Sequence, residues 1–157
     1  MTAELRNCSD ASIDRTVEWV DTDASGHQHN SAVMRWVEAA EAELFRSLDL
    51  PEYFPSAPRV HQAISYRAKL WFGQRITASI RIEKLGRTSL TYAFEVYGHQ
   101  HLDEDGGTAA FGTVTVAQVP PGSKTAQPWT ADFIKAIGTL PSGGVPGASP
   151  RQDPPTG

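Results

Sequence analysis

Between residues 31 and 48 the apolar positions Val33, Val37, Ala40, Leu44 and Leu48 recur at the spacing of one helix face, and Met34, Trp36 and Phe45 widen the stripe. A stripe that wide predicts a helix packed against a sheet. Asn30 or Ser31 reads as its N-cap, because a short side-chain oxygen can satisfy a first-turn N–H. Pro51, Pro55 and Pro58 end the helix in a connecting loop. The period then changes to two. Alternating apolar and polar positions predict strands over residues 64–70, 76–83, 90–97 and 108–119, with hairpin turns at Gly86-Arg87 and at Asp105-Gly106-Gly107. Gly112, inside the last of these, suits a bulge or the close approach of a helix. Ahead of the helix, Arg15, Val17 and Trp19 alternate with Thr16, Glu18 and Val20, predicting a first strand over 15–20 that a loop over 21–26 ends. A short second helix is expected over 131–137. One strand, one long helix and four strands make an α+β order, satisfied by an antiparallel sheet of about five strands wrapped around one long central helix.

Composition sets the borders of this unit. Residues 1–12 are polar and without pattern, a flexible leader; 13–140 carry the folded domain; 141–157 hold too much Pro, Gly and Ser to pack and are expected to be disordered. At 157 residues and 39% hydrophobic content the chain can bury one core without staples. Its one cysteine, Cys8, cannot form an internal disulfide. No apolar run is long enough to span a bilayer, and Glu4, Arg6, Asp10 and Asp14 interrupt the first twenty residues, so a cytoplasmic protein without membrane contact is expected. Fourteen Lys and Arg against 18 Asp and Glu leave a net charge of −4, which supplies no general basic field for nucleic acid. An anionic ligand must therefore meet local positive charge, as at Arg67, Lys69 and Arg75 or at Arg81, Lys84 and Arg87.

The stretch that changes the picture most is Asp21-Thr22-Asp23-Ala24-Ser25-Gly26-His27-Gln28-His29-Asn30. It runs from an acidic loop straight into the long helix. Asp23 can supply a base or nucleophile there, while the helix start offers unpaired N–H groups to a developing oxyanion. Asp21 reads as a turn residue, and Gly26 as a position of positive φ or of close approach by a ligand. His27 with His29, and His99 with His101, are His-x-His pairs, yet neither has a third ligand at a recognised spacing, so no metal site is expected. Glu38, Glu41 and Glu43 lie on the flank of the helix, where charges are ordinarily solvated or paired, and Glu38 stands one turn from Arg35. Asp103-Glu104-Asp105-Gly106 lacks the spaced ligands of a calcium loop and reads as a hairpin tip.

Trp19-Val20-Asp21-Thr22-Asp23-Ala24-Ser25-Gly26-His27, then Asn30, then a helix with Arg35-Trp36 and Glu38-Ala39 and an exit at Leu50-Pro51, resembles the 4-hydroxybenzoyl-CoA thioesterase-like branch of the hotdog-fold acyl-CoA thioesterases. The resemblance runs from about residue 15 to residue 120. Its specific part is the D-x-D-x-x-G-H run; the chain departs from the family's common continuation by reading His27-Gln28-His29-Asn30. The resemblance implies that Asp23 is the catalytic carboxylate and that the backbone N–H near Asn30 polarises the thioester. Gly26, His27 and His29 then border the substrate. It also implies coenzyme A contacts from the hairpin that carries Arg87 and Ser89, no cofactor, and a homodimer or homotetramer with sites built across the interface. The expected activity is hydrolysis of an acyl-CoA thioester to free acid and coenzyme A. The rivals are hydrolysis on an acyl carrier protein, a hotdog dehydratase that enlists His27 or His29, and a non-catalytic acyl-CoA-binding module.

Overall fold

The computed structural model describes residues 10–138. Strand β1 (Asp10–Thr16) is followed by a single 3-10 turn (Trp19–Asp21) and the loop of interest, then by the long helix α1 (Asn30–Ser47). A second 3-10 segment (Pro51–Ser56) leads to β2 (Arg59–Tyr66), β3 (Arg75–Leu85), β4 (Ser89–Gly98) and β5 (Gly107–Ala117), and α2 (Ala131–Ile137) closes the described chain. The five strands form one antiparallel sheet in the order β1-β3-β4-β5-β2. Helix α1 packs on one face of it. This is the α+β hotdog arrangement that the pattern and the resemblance predict.

The core lies between α1 and the sheet. Val33, Val37, Ala40 and Leu44 are fully buried on the helix, opposite Ile76, Ala78, Leu90, Tyr92 and Val96 of β3 and β4. At the far end of the helix, Phe45 stacks on Tyr53 at 3.5 Å, and Trp129 on Phe133 at 4.2 Å, so the 3-10 segment and α2 cap that end. Gly112 keeps β2 in place. A Cβ added there would fall 1.8 Å from the Ala63 carbonyl oxygen of β2 and 3.0 Å from the Phe94 ring. The glycine therefore serves close approach of a neighbouring strand, where the sequence suggests a bulge or a helix.

Two strands sit earlier than predicted. The first covers Asp10–Thr16 and not 15–20, because the Asp21 carboxylate captures the Glu18 N–H at 2.8 Å and winds Trp19–Asp21 into a 3-10 turn. Strand β2 covers Arg59–Tyr66 and not 64–70. There the N–H groups of Arg67 and Ala68 both turn to the Ala109 carbonyl, and the Leu70 N–H is taken by the Gln28 side chain at 2.6 Å. The alternation at Ala68 and Leu70 thus comes from an anchored loop. Residues 10–12, placed in the leader by composition, belong to β1; residues 1–9 and the expected tail at 141–157 lie outside the described residues. The remaining three strands and both helices fall within two residues of expectation. The β4–β5 turn, however, lies at Leu102-Asp103 between the bridged His101 and Glu104, and not at Asp105-Gly106-Gly107.

Candidate active site

The loop between the 3-10 turn and α1 is a short hairpin. Thr22 pairs with Gln28, the Asp23 N–H donates to the His27 carbonyl at 3.2 Å, and the His29 N–H donates to the Asp21 carbonyl at 2.7 Å. Gly26, at φ 86°, turns the chain at its tip, where a Cβ would meet nothing within 4 Å. Its role is the left-handed conformation alone. The return arm is laced to the segment before β3: His27 bridges Trp71, the Gln28 N–H donates to the Leu70 carbonyl at 2.9 Å, and the buried Gln28 amide reaches the backbone of Leu70 and Ala68. On the outgoing arm, Asp21 is buried and receives Arg35 of α1 at 2.6 Å. The loop is thereby tied to a helix on one side and to a sheet crossover on the other.

Asp23 stands exposed on this frame. One carboxylate oxygen, Oδ1, accepts from the Ser25 hydroxyl and from the Ser25 N–H at 2.8 Å. The Ser25 hydroxyl first, then its N–H, hold the Asp23 carboxyl below the usual carboxylate range, so it is ionised at neutral pH.

The helix start is capped by His29. Its Nδ1 accepts from the Ser31 N–H at 3.1 Å and lies 2.8 Å from the Ser31 hydroxyl, while its carbonyl accepts from the Ala32 N–H at 2.9 Å. The predicted cap was Asn30 or Ser31. An imidazole acceptor does the same work one residue earlier, which the usual list of short capping side chains does not anticipate. Capping in this way leaves the Asn30 N–H without a hydrogen-bond partner among the described residues, at the positive end of α1. The Asn30 carbonyl accepts from the Tyr66 hydroxyl of β2 at 3.3 Å.

Several named residues lie apart from this cluster. Arg87 and Ser89 sit at the β3–β4 hairpin, where their carbonyls accept from the Trp129 backbone N–H and indole Nε1. That hairpin is separated from the Asp23 loop by the length of β3, about 35 Å for its 11 residues. Glu41 is buried between Tyr53 (2.6 Å) and Arg59 (3.0 Å), and Arg59 also reaches the Tyr92 hydroxyl at 3.1 Å and Glu38 at 3.8 Å. Burial first, then the Glu41 carboxylate, push the Tyr53 phenol well above its ordinary range. Glu43 pairs with Arg46 at 3.5 Å. His99 bonds Thr77 at 2.7 Å, and among the described residues no three His, Cys, Asp or Glu side chains gather as metal ligands. Pattern reading did not single out Ser25 and Gln28. Ser25 could have been found as the second residue after an Asp in a turn; Gln28 carries no local signal.

Hollows open on the surface of the described residues. One, of about 590 Å³, flanks the Asp21–Arg35 pair beside Trp36 and Arg75. Another, of about 900 Å³, lies on the sheet face away from α1, among Ser65, Ser79 and Thr113, and contains none of the loop residues. No described helix is long and apolar enough to cross a membrane.

The geometry can be set beside known proteins. A family model described as the thioesterase superfamily matches residues 25–103. That segment begins at Ser25, so it takes in Gly26, His27, His29 and Asn30 and stops short of Asp23. No curated protein sequence matches. Among solved structures, the chain is similar to the 4-hydroxybenzoyl CoA thioesterase from Pseudomonas sp. strain CBS-3, at 17% identity and a TM-score of 0.73 over 82% of this chain and 99% of that one. It is similar also to a 1,4-dihydroxy-2-naphthoyl-CoA thioesterase from Synechocystis (16%, TM-score 0.70, 82% and 95% covered). A predicted thioesterase from Bacillus stearothermophilus aligns at 24% identity with a TM-score of 0.69 over 80% of this chain and 91% of that one. These likenesses carry the fold. With the family model covering half of the chain, the protein belongs to the thioesterase superfamily and is a thioester hydrolase.

Proposed function

We propose that the chain hydrolyses acyl-CoA thioesters, with Asp23 as the reacting carboxylate and the Asn30 N–H as the oxyanion donor. The observation that carries this reading is the Asn30 N–H, which has no hydrogen-bond partner among the described residues: the His29 cap occupies the next two donors of α1 and leaves this one open, seven residues after an exposed, ionised aspartate. A thioester carbonyl oxygen docked there gains negative charge in the transition state at the positive end of a helix. The second Asp23 oxygen attacks the carbonyl carbon, or takes a proton from a water that does. The C–S bond breaks, the coenzyme A thiolate leaves and takes up a proton, and one water is consumed overall. In the nucleophilic route that water opens the acyl-aspartyl anhydride and returns the carboxylate.

A contribution from Arg87 and Ser89 to binding of the coenzyme A phosphates requires a second copy, since in one protomer they stand at the opposite end of the sheet. The β2 edge is open and its strand largely exposed. Two such edges paired antiparallel about a twofold axis bring the Tyr66 end of one beside the Arg59 end of the other. The Arg59 end is also the hairpin end, because Arg59 pairs with Val116, Val116 with Leu90, and Leu90 with Leu85. A homodimer of this kind offers Arg87 and Ser89 of one copy to the Asp23 loop of the other.

The test is thiol release from acetyl-, octanoyl-, palmitoyl- and benzoyl-CoA, with the same acyl groups on acyl carrier protein. Turnover on coenzyme A exceeding that on the carrier is expected. The reverse preference would assign the carrier protein as substrate, and enone formation without free thiol would assign a dehydratase.

A further inference from the structure

We infer that Ser25 is a positioning residue for Asp23: its hydroxyl and N–H together hold Oδ1, so that Oδ2 is the oxygen presented to the thioester or to water. The inference rests on the reading of Asp23 as the reacting carboxylate. A free carboxylate turns about its Cβ–Cγ bond and offers either oxygen in many directions. Here Oδ1 has two donors from one residue two positions on, and Oδ2 has no hydrogen-bond partner among the described residues. Two donors on one oxygen fix the plane of the group as well as its direction.

The frame around this pair is rigid enough for the orientation to be inherited. The Gly26 N–H donates to the Asp23 carbonyl at 3.0 Å, and the Asp23 N–H to the His27 carbonyl, so the Asp23 backbone is held on both sides. The loop itself is anchored through Asp21 to Arg35 and through Gln28 to Leu70. A carboxylate oriented on such a support avoids the cost of ordering when the substrate arrives. The same two donors favour the ionised form, which keeps Asp23 charged in mildly acidic solution and also makes its carboxylate a better leaving group from an anhydride. The titratable groups acting on Asp23 are His27 and His29, and both favour the ionised form too.

Four variants test this with the acyl-CoA that turns over fastest, beside 13C NMR titration of the Asp23 carboxyl. Ser25 is exposed, so Ser25→Ala is expected to fold normally. It should lower kcat roughly tenfold, the scale of a charge-assisted bond that orients a reacting atom, with KM nearly unchanged. It should also raise the Asp23 titration midpoint and move the acid limb of the kcat profile upward in pH by the same amount. Ser25→Thr should restore both. On an Asp23→Asn background, Ser25→Ala should cost nothing further. If Asp23→Asn is inactive while Ser25→Ala matches the parent in kcat and midpoint, the positioning role is overturned and the reading of Asp23 stands. A fall in kcat that Thr does not rescue, with no movement of the midpoint, also overturns it. If Asp23→Asn keeps its activity, the reading of Asp23 itself fails.

Discussion

At residue scale, the site is a division of labour inside one loop. Asp21 and Gln28 are buried and bind backbone, Gly26 supplies a left-handed turn, His29 caps the helix, and Asp23 alone presents a charge outward. Replacing Asp23 by Asn keeps its shape and one acceptor for Ser25 but removes the charge, so kcat should fall at least about a hundredfold with acyl-CoA affinity little changed. Steady-state thiol release beside equilibrium binding separates the two quantities. The pH dependence follows the sign of the shift: a carboxyl held below its usual range loses its charge only as pH falls through that lowered midpoint. The acid limb of activity should accordingly lie below the ordinary aspartate range. The Asn30 side chain is expected to matter little. Asn30→Ala keeps the donor and should change kcat less than about threefold, whereas Asn30→Pro removes the N–H at a helix start that tolerates proline and should cost about a hundredfold or more. Equal activity in the two variants, with far-UV spectra unchanged, would remove the helix-start oxyanion site.

At element scale, the weak point is the attachment of β2. It is an edge strand of mostly exposed residues, held by β5 on one side and by the Arg59–Glu41 pair and the Tyr66–Asn30 bond to α1. Gly112→Ala drives a methyl into the Ala63 carbonyl and should destabilise the fold by about 3 kcal/mol or more, while Gly107→Ala, with open space at the same strand's start, should cost under about 1 kcal/mol. Urea unfolding of the two variants, with hydrogen exchange along β2, reads the difference. Arg59→Ala leaves the Glu41 carboxylate buried against Tyr53 without its cation. Because the Arg59 side chain is 29% exposed, the loss should be smaller than for a fully buried pair, about 2 kcal/mol in urea unfolding.

At the scale of the whole molecule, the open β2 edge is the surface a second copy would cover. A row of unpaired backbone groups invites pairing, and a twofold related edge satisfies it while joining the Asp23 loop to the hairpin cations. Sedimentation at micromolar concentration should give a species of at least twice the 17.1 kDa chain mass. Charge reversal by Arg87→Glu should then raise KM for acyl-CoA with kcat held; a chain that sediments as a monomer and yet is fully active would refute the shared site.

The sequence by itself determined the long helix, the α+β order, the β3–β4 turn at Gly86-Arg87 and the loop that leads into the helix. Those follow from local rules: the 3.6 and 2 periodicities of burial, the φ range open to Gly26, and a short acidic run before a helix. Tertiary structure decided what distant partners decide. Strand β1 ends at Thr16 because a carboxylate five residues on turns the chain, and β2 ends at Tyr66 because Ala109 and Gln28 capture the next N–H groups. Glu41 became a buried partner of Arg59 through its place opposite β2 and β4, and Arg87 was carried to the far end of the sheet from Asp23 by strand length. Which donor of α1 stays open, and which oxygen of Asp23 faces outward, depend on hydrogen bonds formed only once the loop has closed against the helix and the Leu70 segment.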